Sequence, residues 1–339
     1  MGRSLADLGF FIGARLLQLI PVLIGVVVLM FLFTHLSVSD PCASWYPHAK
    51  KVVLDACRNY YGFNQPLYVQ FEKYVAGLLA GNWGTDQTGA PVYPEIAQAL
   101  PATVELVFAS LFIMVVFGIA LGAVAAQYAG RWPDHLVRVF YLSGWAAPTY
   151  LVGILLAIFV APALGFPTGG AFSQNPPPFP QPTHMSVIDA ILAGSPSWTA
   201  DALVHLILPA TALAFLNLGI VTRMTRSSML EVLPLDFVKS ARMKGISEGA
   251  VLYRHALRNS LITTTTILGF TASGLLASTV VVEEIFRWPG IGEYAFDALV
   301  DNNFSGLIGV TIVFAVAVVV ANLVADILYG VIDPRVEWR

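Results

Sequence analysis

The chain has 339 residues, of which 57% are hydrophobic and only 12% are charged, and its formal net charge is −3. A soluble domain is about a quarter charged. A chain with half that share and a mean hydropathy of +0.72 cannot bury its apolar surface by folding on itself. The composition therefore excludes a soluble globular protein and indicates that most of the surface faces lipid. The small net charge gives no sign of a nucleic-acid partner, and we expect none.

Six apolar runs are each long enough to cross a bilayer as a helix, which takes about 20 residues. The third run is interrupted by Pro148. The predicted transmembrane helices are 16–36, 106–126, 139–164, 202–222, 260–282 and 307–329. Signal peptides have apolar cores of about 7–15 residues, and the first run is longer, so we expect it to be kept as a spanning helix. The spans divide the chain into a first segment (1–36), a long connection (37–100) and a helical core (101–339).

The basic residues are distributed unevenly about these spans. With an even number of spans both termini lie on one side. That side would hold 13 of the 18 Lys and Arg residues, seven of them in the fourth connection at 223–259. The connection at 162–200, on the opposite side, has none. Because cytoplasmic loops carry an excess of Lys and Arg, we predict that the termini and the fourth connection are cytoplasmic.

The long connection at 37–100 contains one helical pattern and both cysteines. Apolar residues at 66–81 (PLYVQFEKYVAGLLAG) fall on one helical face. This helix either lies in the lipid headgroup region or belongs to a small outer cap with its own core. Cys42 and Cys57 fit no metal or redox spacing. Because they lie on the oxidising side of the membrane, we expect a disulfide rather than two free thiols.

One compact basic segment, DFVKSARMKGISEGAVLYRHALRN at 236–259, stands out in this apolar chain. Asp236 is a favourable N-cap for a first short helix, which would end near the cation Lys244. Gly245 suits the left-handed position after a helix, and Ser247 can cap a second helix. We therefore predict two short helices joined at a sharp turn, and we call residues 236–259 the elbow.

The elbow has two possible explanations. It could be a topology signal that touches anionic lipid headgroups. A topology signal, however, does not require caps, a hinge glycine or apolar residues at Phe237, Met243, Ile246 and Val251. A helical elbow with an apolar rib and a charged rim suits docking into a groove on a partner, and we favour this interpretation.

The elbow resembles a known signature. DFVKSARMKGIS at 236–247, followed by RHALRN at 254–259, is similar to the coupling loop of ABC importer permeases of the dipeptide/oligopeptide/nickel family, in their B-type membrane subunit. Further segments match the same pattern in the same order. They are 62–84, 100–106, 205–214, 280–299 and 326–336. One departure is Thr263, where relatives usually have proline, and this permits a straighter start to the fifth helix.

The resemblance implies a type I ABC importer permease fold, an all-α membrane protein with six spans in the inner membrane of a prokaryote. It implies a heterodimer with a second permease, two cytoplasmic ATPase subunits and an extracytoplasmic substrate-binding protein. The chain would form half of a pathway for di- or oligopeptides, with oligosaccharides or nickel chelates as alternatives. We expect no catalytic residue, metal site or cofactor in this chain, which has no G-x-x-x-x-G-K-[ST] loop. ATP and Mg would bind to the partner subunits.

The resemblance also suggests roles for individual elbow residues in ATPase coupling. Gly245 would allow the turn, and Asp236 would cap the first helix. His255 either buttresses the elbow or is simply packed. The predicted apolar docking surface is Phe237, Ala241 and Ile246, and the predicted partner-binding cations are Arg242, Lys244 and Arg258.

Evidence for a translocation path is limited to three polar residues in or near spans four and six. Asn217, Asn322 and Asp326 either line the path or make hydrogen bonds between helices, and Asp326 could already lie at the cytoplasmic interface. An ion-coupled secondary transporter is the main rival function. It would be expected to have ionisable groups near the midplane and inverted repeats, and neither is visible in the sequence. A membrane-embedded hydrolase is a weaker rival, because no motif spacing supports one.

Two local patterns predict packing. Gly118 and Gly122 have the G-x-x-x-G spacing that allows two helices to approach closely. Residues 287–292 predict a tight turn outside the fifth span, in which Trp288 would be an anchor at the membrane interface.

Overall fold

The computed structural model describes residues 5–37, 41–46, 48–86, 88–174 and 177–332. Within these residues the structure is helical and has no strand, only an isolated bridge between Thr85 and Pro91. The predicted all-α class is therefore confirmed. The α-helices in chain order are α1 (Leu5–Ser37), α2 (Pro41–Trp45), α3 (Lys51–Tyr61), α4 (Leu67–Leu79), α5 (Val92–Gln127), α6 (Trp132–Ala146), α7 (Thr149–Leu155), α8 (Ala161–Leu164), α9 (Ser186–Leu192), α10 (Pro196–Val232), α11 (Asp236–Met243), α12 (Glu248–Ala250), α13 (Leu257–Phe286), α14 (Ile291–Val300) and α15 (Phe304–Ile332). Two π-helical segments, Leu156–Val160 and Val251–Ala256, join α7 to α8 and α12 to α13.

Five of the six predicted spans lie in long helices. Within the described residues, four helices are long and apolar enough to cross a membrane, or five if a bent pair is counted as one span. The four are Ile12–Phe33, Val92–Gln127, Pro196–Phe215 and Phe304–Ala325. The predicted fifth span lies within α13, which has 30 residues but is not among these apolar candidates. The count of six therefore stays a prediction.

The third predicted span is two helices rather than one. The chain breaks at Pro148, as predicted, and the segments Trp132–Gly144 and Thr149–Leu164 are bent by 108°. Ala147 adopts an extended conformation because a following proline disfavours the helical one. The predicted interruption of the third span at Pro148 is therefore confirmed.

Helix α10 is the centre of the bundle and packs against α5, α6, α9 and α13. Its contact with α5 depends on glycine. A β-carbon at Gly118 would lie 2.8 Å from Val221 Cγ1, and one at Gly122 would lie 2.6 Å from Thr225 Cβ. The close packing predicted from the G-x-x-x-G spacing is confirmed.

Helices α2, α3 and α4 form a cap that contacts α1 and Asn302. The structure joins Cys42 and Cys57 in a disulfide, with 6.1 Å between their Cα atoms. Phe71 of α4 packs edge-on against Phe31 of α1, with 5.2 Å between ring centroids. Trp45 donates its indole N–H to the backbone carbonyl of Asn302 at 3.0 Å. These contacts favour a packed cap over a helix lying alone among headgroups.

Trp288 is not an interfacial anchor. Its side chain is completely buried, and its indole N–H donates to the Ala102 carbonyl of α5 at 2.9 Å. The preceding residue, Arg287, has φ +47, which turns the chain sharply at the end of α13 and directs the tryptophan inward. The interfacial position predicted for Trp288 is wrong because its one polar atom finds a partner inside the protein.

Candidate functional site

The elbow bends at Gly245, between α11 and α12. Gly245 has φ +76, so the predicted left-handed glycine is confirmed. An ideal β-carbon at this position would meet no atom within 4 Å. Glycine is therefore needed here because of its backbone conformation and not because of close packing, since other L-residues are strained at a left-handed φ.

The predicted caps are placed differently. Helix α11 begins at Asp236 itself, and Leu235 occupies the N-cap position in an extended conformation. The Asp236 carboxylate instead accepts a hydrogen bond from Lys239 Nζ at 3.1 Å, so its assignment as an N-cap is wrong. Its charge in the first turn still favours the helix through the helix dipole. Ser247 does occupy the N-cap position of α12, but its side chain makes no capping hydrogen bond.

The second arm of the elbow is not a separate helix. Helix α12 continues through the π-helical segment Val251–Ala256 into α13 without a break. Helix α13 continues through Thr263, where a proline would have interrupted the backbone hydrogen bonds. The prediction of two independent short helices is therefore wrong, because the second arm is the continuation of the predicted fifth span.

The inner side of the elbow has its own small core. Val238, Ala241 and Val251 are buried together, and Ile246 packs against them. Ala241 is therefore not available for docking, whereas Ile246 is only partly buried. Ala241 lies one helical turn from Val238, on the side of α11 that faces the second arm, and Ile246 directly follows the hinge glycine.

Several apolar side chains of the elbow are exposed. Phe237 is 42% exposed and Met243 is 80% exposed. Leu235 and Tyr253 are exposed as well. We call these four residues the outer apolar face. Only Phe237 of the predicted docking surface belongs to it.

The charged residues of the elbow differ in whether they form an ion pair within the elbow. Arg242 makes a two-point ion pair with Glu248 across the hinge, with Nε–Oε2 and Nη2–Oε1 distances of 3.1 and 2.7 Å. Hydrogen bonds from Arg242 hold the pKa of Glu248 below its usual value. Arg242 therefore closes the elbow on itself, whereas Lys244 and Arg258 are exposed and have no ion-pair partner within the described part of the chain.

His255 lies in the π-helical segment and is half-buried. Its backbone carbonyl accepts a hydrogen bond from the Asn259 side-chain amide at 2.8 Å. This contact involves the backbone only, so both interpretations of the imidazole, buttress or packed side chain, stay open.

A buried ion-pair cluster near the elbow was missed by the sequence reasoning. Asp134 of α6 has no exposed side-chain surface, and both its oxygens accept from Arg226 of α10, at 2.7 and 2.8 Å. Arg138, one turn along α6, donates at 3.1 and 2.9 Å. The backbone N–H of Gly130 donates at 2.9 Å. Sequence analysis counted Arg226 as a loop cation, although it lies inside α10.

Two further buried carboxylates hold the short helices α9 and α14 against the long helices α5 and α13. Glu105 of α5 accepts from the backbone of Ser186 and Val187, at the start of α9, both at 2.8 Å. Glu283 of α13 accepts from the Gly292 backbone at 2.6 Å, near the start of α14. Each carboxylate satisfies N–H groups that a helix start leaves without partners.

The predicted path residues are not brought into one described site. Asn217 on α10 and Asn322 on α15 are each partly buried. The Asp326 side chain lies outside the described residues. A polar cavity of about 500 Å³ lies elsewhere, lined by Asp86, Glu95 and Asp297 with other polar residues.

A family model described as "Binding-protein-dependent transport system inner membrane component" matches residues 118–338, which include the elbow and the Asp134 cluster. The chain belongs to this family. The permease resemblance suggested by the elbow sequence is thereby confirmed.

Individual relatives match the permease over nearly its whole length. It is 38% identical over 324 residues to the "Probable D,D-dipeptide transport system permease protein DdpB" of Escherichia coli (strain K12), with 94% of each chain covered. It is 35% identical to the "Dipeptide transport system permease protein DppB" of Alkalihalophilus pseudofirmus and 34% identical to the "Oligopeptide transport system permease protein AppB" of Bacillus subtilis (strain 168). Each of these alignments covers 96% of the permease and 98% of the relative. These relatives are transport components, and so is the permease, which is not an enzyme.

The fold of the permease has a solved counterpart. A chain in the structure titled "Inward facing conformations of the MetNI methionine ABC transporter: CY5 native crystal form" matches with a TM-score of 0.50. The match covers 70% of the permease and 96% of that chain, at 13% identity. At this identity the match establishes the shared ABC-transporter permease fold and nothing about substrate.

Proposed function

We propose that the permease forms half of the translocation pathway of an ATP-driven importer for di- or oligopeptides. The observation that carries this proposal is its near full-length similarity to permeases named for D,D-dipeptide, dipeptide and oligopeptide transport. In the proposed arrangement the chain crosses the inner membrane six times, with both termini and the elbow in the cytoplasm. The 13 Lys and Arg residues on that side support this orientation.

The proposed complex contains a second permease, two cytoplasmic ATPase subunits that bind ATP and Mg, and an extracytoplasmic substrate-binding protein. The elbow would dock on an ATPase subunit through the outer apolar face, with Lys244 and Arg258 at its rim. Exposed aromatic and Met side chains ringed by charge are typical of such contacts. Gly245 and the Arg242–Glu248 ion pair would keep the elbow bent and stiff.

A stiff elbow matters because it must transmit free energy. Converting a two-state equilibrium from 1:99 to 99:1 takes about 5.5 kcal/mol of differential binding. One arm of the elbow follows α10 after a three-residue turn, and the other is continuous with α13. Closure of the ATPase pair would therefore move two central helices together.

The test is uptake of a radiolabelled dipeptide into proteoliposomes that contain the two permeases and the ATPase subunits, with the loaded binding protein outside. Uptake should require ATP inside the vesicles, where the ATPase subunits lie, and vanadate should stop it. A maltooligosaccharide and a nickel chelate serve as competitors. Uptake driven by an ion gradient without ATP would refute the proposal in favour of a secondary transporter. Competition by the sugar or the chelate, but not by peptides, would refute the peptide assignment alone.

A further inference from the structure

We propose that Asp134 is a positioning residue that makes α6 move with α10 when the elbow is displaced during transport. This inference rests on the proposed function, because it concerns how movement from an ATPase subunit reaches the spanning helices. Asp134 is four residues from the nearest cation on its own helix and 92 residues from Arg226. Its contacts join two helices that are remote in sequence.

The elbow is attached directly to the cytoplasmic end of α10. Val232 and Leu233, at the end of this helix, pack against the core of the elbow. Met229 packs with Leu252 and Ala256 of the second arm. A displacement of the elbow must therefore displace the last two turns of α10.

The Asp134 cluster contacts α10 at the start of those two turns. Arg226 lies six residues before Val232, which is about 9 Å along a helix. Its two nitrogens bond the two oxygens of one buried carboxylate, and this paired geometry fixes orientation as well as distance. The same carboxylate holds the α5–α6 turn through the Gly130 N–H.

Further along α6, the contacts with α10 are of a different kind. Phe140 packs edge-on against Phe215, with centroids 5.3 Å apart. At Gly219 the helices approach so closely that a β-carbon would lie 2.8 Å from the Tyr141 carbonyl oxygen. Both are close van der Waals contacts, and neither the Phe140–Phe215 nor the Gly219–Tyr141 contact includes a hydrogen bond among the described residues. The Asp134–Arg226 pair supplies directional bonds that set the register at the elbow end of α6.

The consequence reaches the broken third span. Helix α6 leads into the 108° bend at Pro148, after which α7 packs against α10 and α13. While the Asp134–Arg226 pair holds α6 to α10, the two helices and the bend at Pro148 move together. Without the pair, α10 can shift while α6 and the bend stay in place.

The experiment uses the complete complex in proteoliposomes and measures peptide taken up per ATP hydrolysed. The variants are Asp134→Asn, Arg226→Gln and the double variant, and the matched control is Arg138→Ala, which removes a cation from the same carboxylate but leaves the link between helices. Allosteric couplings of ordinary size change equilibria about 5- to 150-fold. We expect each single variant to lower uptake per ATP at least about fivefold, and the double variant to be no worse than the singles. Arg138→Ala should keep the wild-type ratio.

A purely structural ion pair gives a different pattern. Yield or melting temperature would fall, but the complexes that assemble would keep the wild-type uptake per ATP, and this result would overturn the proposal. If the neutral variants fail to assemble, Arg226→Lys keeps the charge and removes the paired geometry. The proposal then requires a lower uptake per ATP from Arg226→Lys, and a wild-type ratio would refute it.

A second readout does not depend on the substrate. Spin labels on the exposed positions Leu136 of α6 and Glu231 of α10 report the distance between the two helices. In the wild-type complex this distance should be the same before and after trapping with ATP and vanadate, and in Asp134→Asn it should change on trapping. An unchanged distance in both proteins would overturn the inference even where peptide uptake is observed. Failure of wild-type peptide uptake, with the distances behaving as expected, would refute only the peptide assignment.

Discussion

Replacing Gly245 with alanine isolates the backbone requirement of the elbow. The residue has φ +76, and a β-carbon there would meet no atom within 4 Å. The alanine methyl group therefore creates no collision, and the cost is that of a left-handed L-residue, about 1–2 kcal/mol. A cost of this size changes an equilibrium by a factor of about 5–30. We expect the bent elbow to become less populated by that factor relative to unbent forms.

The second glycine of the elbow provides the matched control. Gly249 lies in α12, also has open space around an ideal β-carbon, and does not have a positive φ. Alanine at a helical position such as this is favoured over glycine by about 0.5–1 kcal/mol. Gly249→Ala should therefore be neutral or slightly stabilising.

The assay is ATP-dependent uptake into proteoliposomes as a function of the concentration of ATPase subunits enclosed with ATP during reconstitution. For Gly245→Ala the concentration needed for half-maximal uptake should rise, by up to about 30-fold when unbent forms predominate, and for Gly249→Ala it should not rise. Gly245→Asn should fall between alanine and the wild type, because asparagine tolerates the left-handed region better than alanine. If Gly245→Ala and Gly249→Ala behave alike, the reasoning from φ is refuted.

Three further predictions concern α11 of the elbow and the helix α14. Phe237→Ala should weaken functional association with the ATPase subunits without lowering the melting temperature. Val238→Ala empties part of a buried core and should cost about 2 kcal/mol of stability in thermal unfolding. The reverse pattern would contradict the assignment of Phe237 as exposed and Val238 as buried. Gly292→Ala should cost about 1–3 kcal/mol of stability, since its methyl group would overlap the Val280 backbone, and an unchanged melting temperature would count against the tight contact of α13 with α14. Burial, together with the nearby charge of Asp297, raises the pKa of Glu293 to about 7, so the folded state binds the proton more tightly than the unfolded state and stability should decrease as the pH rises from about 4.5 to 7. Glu293→Gln should flatten this pH dependence, and an unaltered profile would show that the carboxyl group is not its source.

The hinge and the bundle were predictable because they depend on local sequence. A positive φ occurs chiefly at glycine, so the glycine at position 245 was enough to predict a left-handed turn there. The break at Pro148 is equally local, although its 108° angle depends on packing. The Asp236 cap was placed one residue too late, since Leu235 already has the extended conformation that a cap requires.

Other features depend on contacts that no local pattern encodes. The elbow is apolar on two faces, and the sequence cannot say that Ala241 turns toward Val251 while Phe237 turns outward. Trp288 suits an interface by residue type, but its position depends on the distant Ala102 carbonyl. Asp134 was overlooked because its main partner lies 92 residues away.

The length of α10 bears on what the elbow can touch. Gly118 and Gly122 of α5 contact Val221 and Thr225 of α10, so residue 126, the end of the second predicted span, is level with about residue 229. About three further residues, ~5 Å of helix, separate that level from the end of α10 at Val232. The headgroup layer on each side of a bilayer is about 5–8 Å thick. In the proposed orientation the elbow therefore starts at the level of the headgroups, and a soluble partner that binds its exposed apolar residues must come close to the membrane surface.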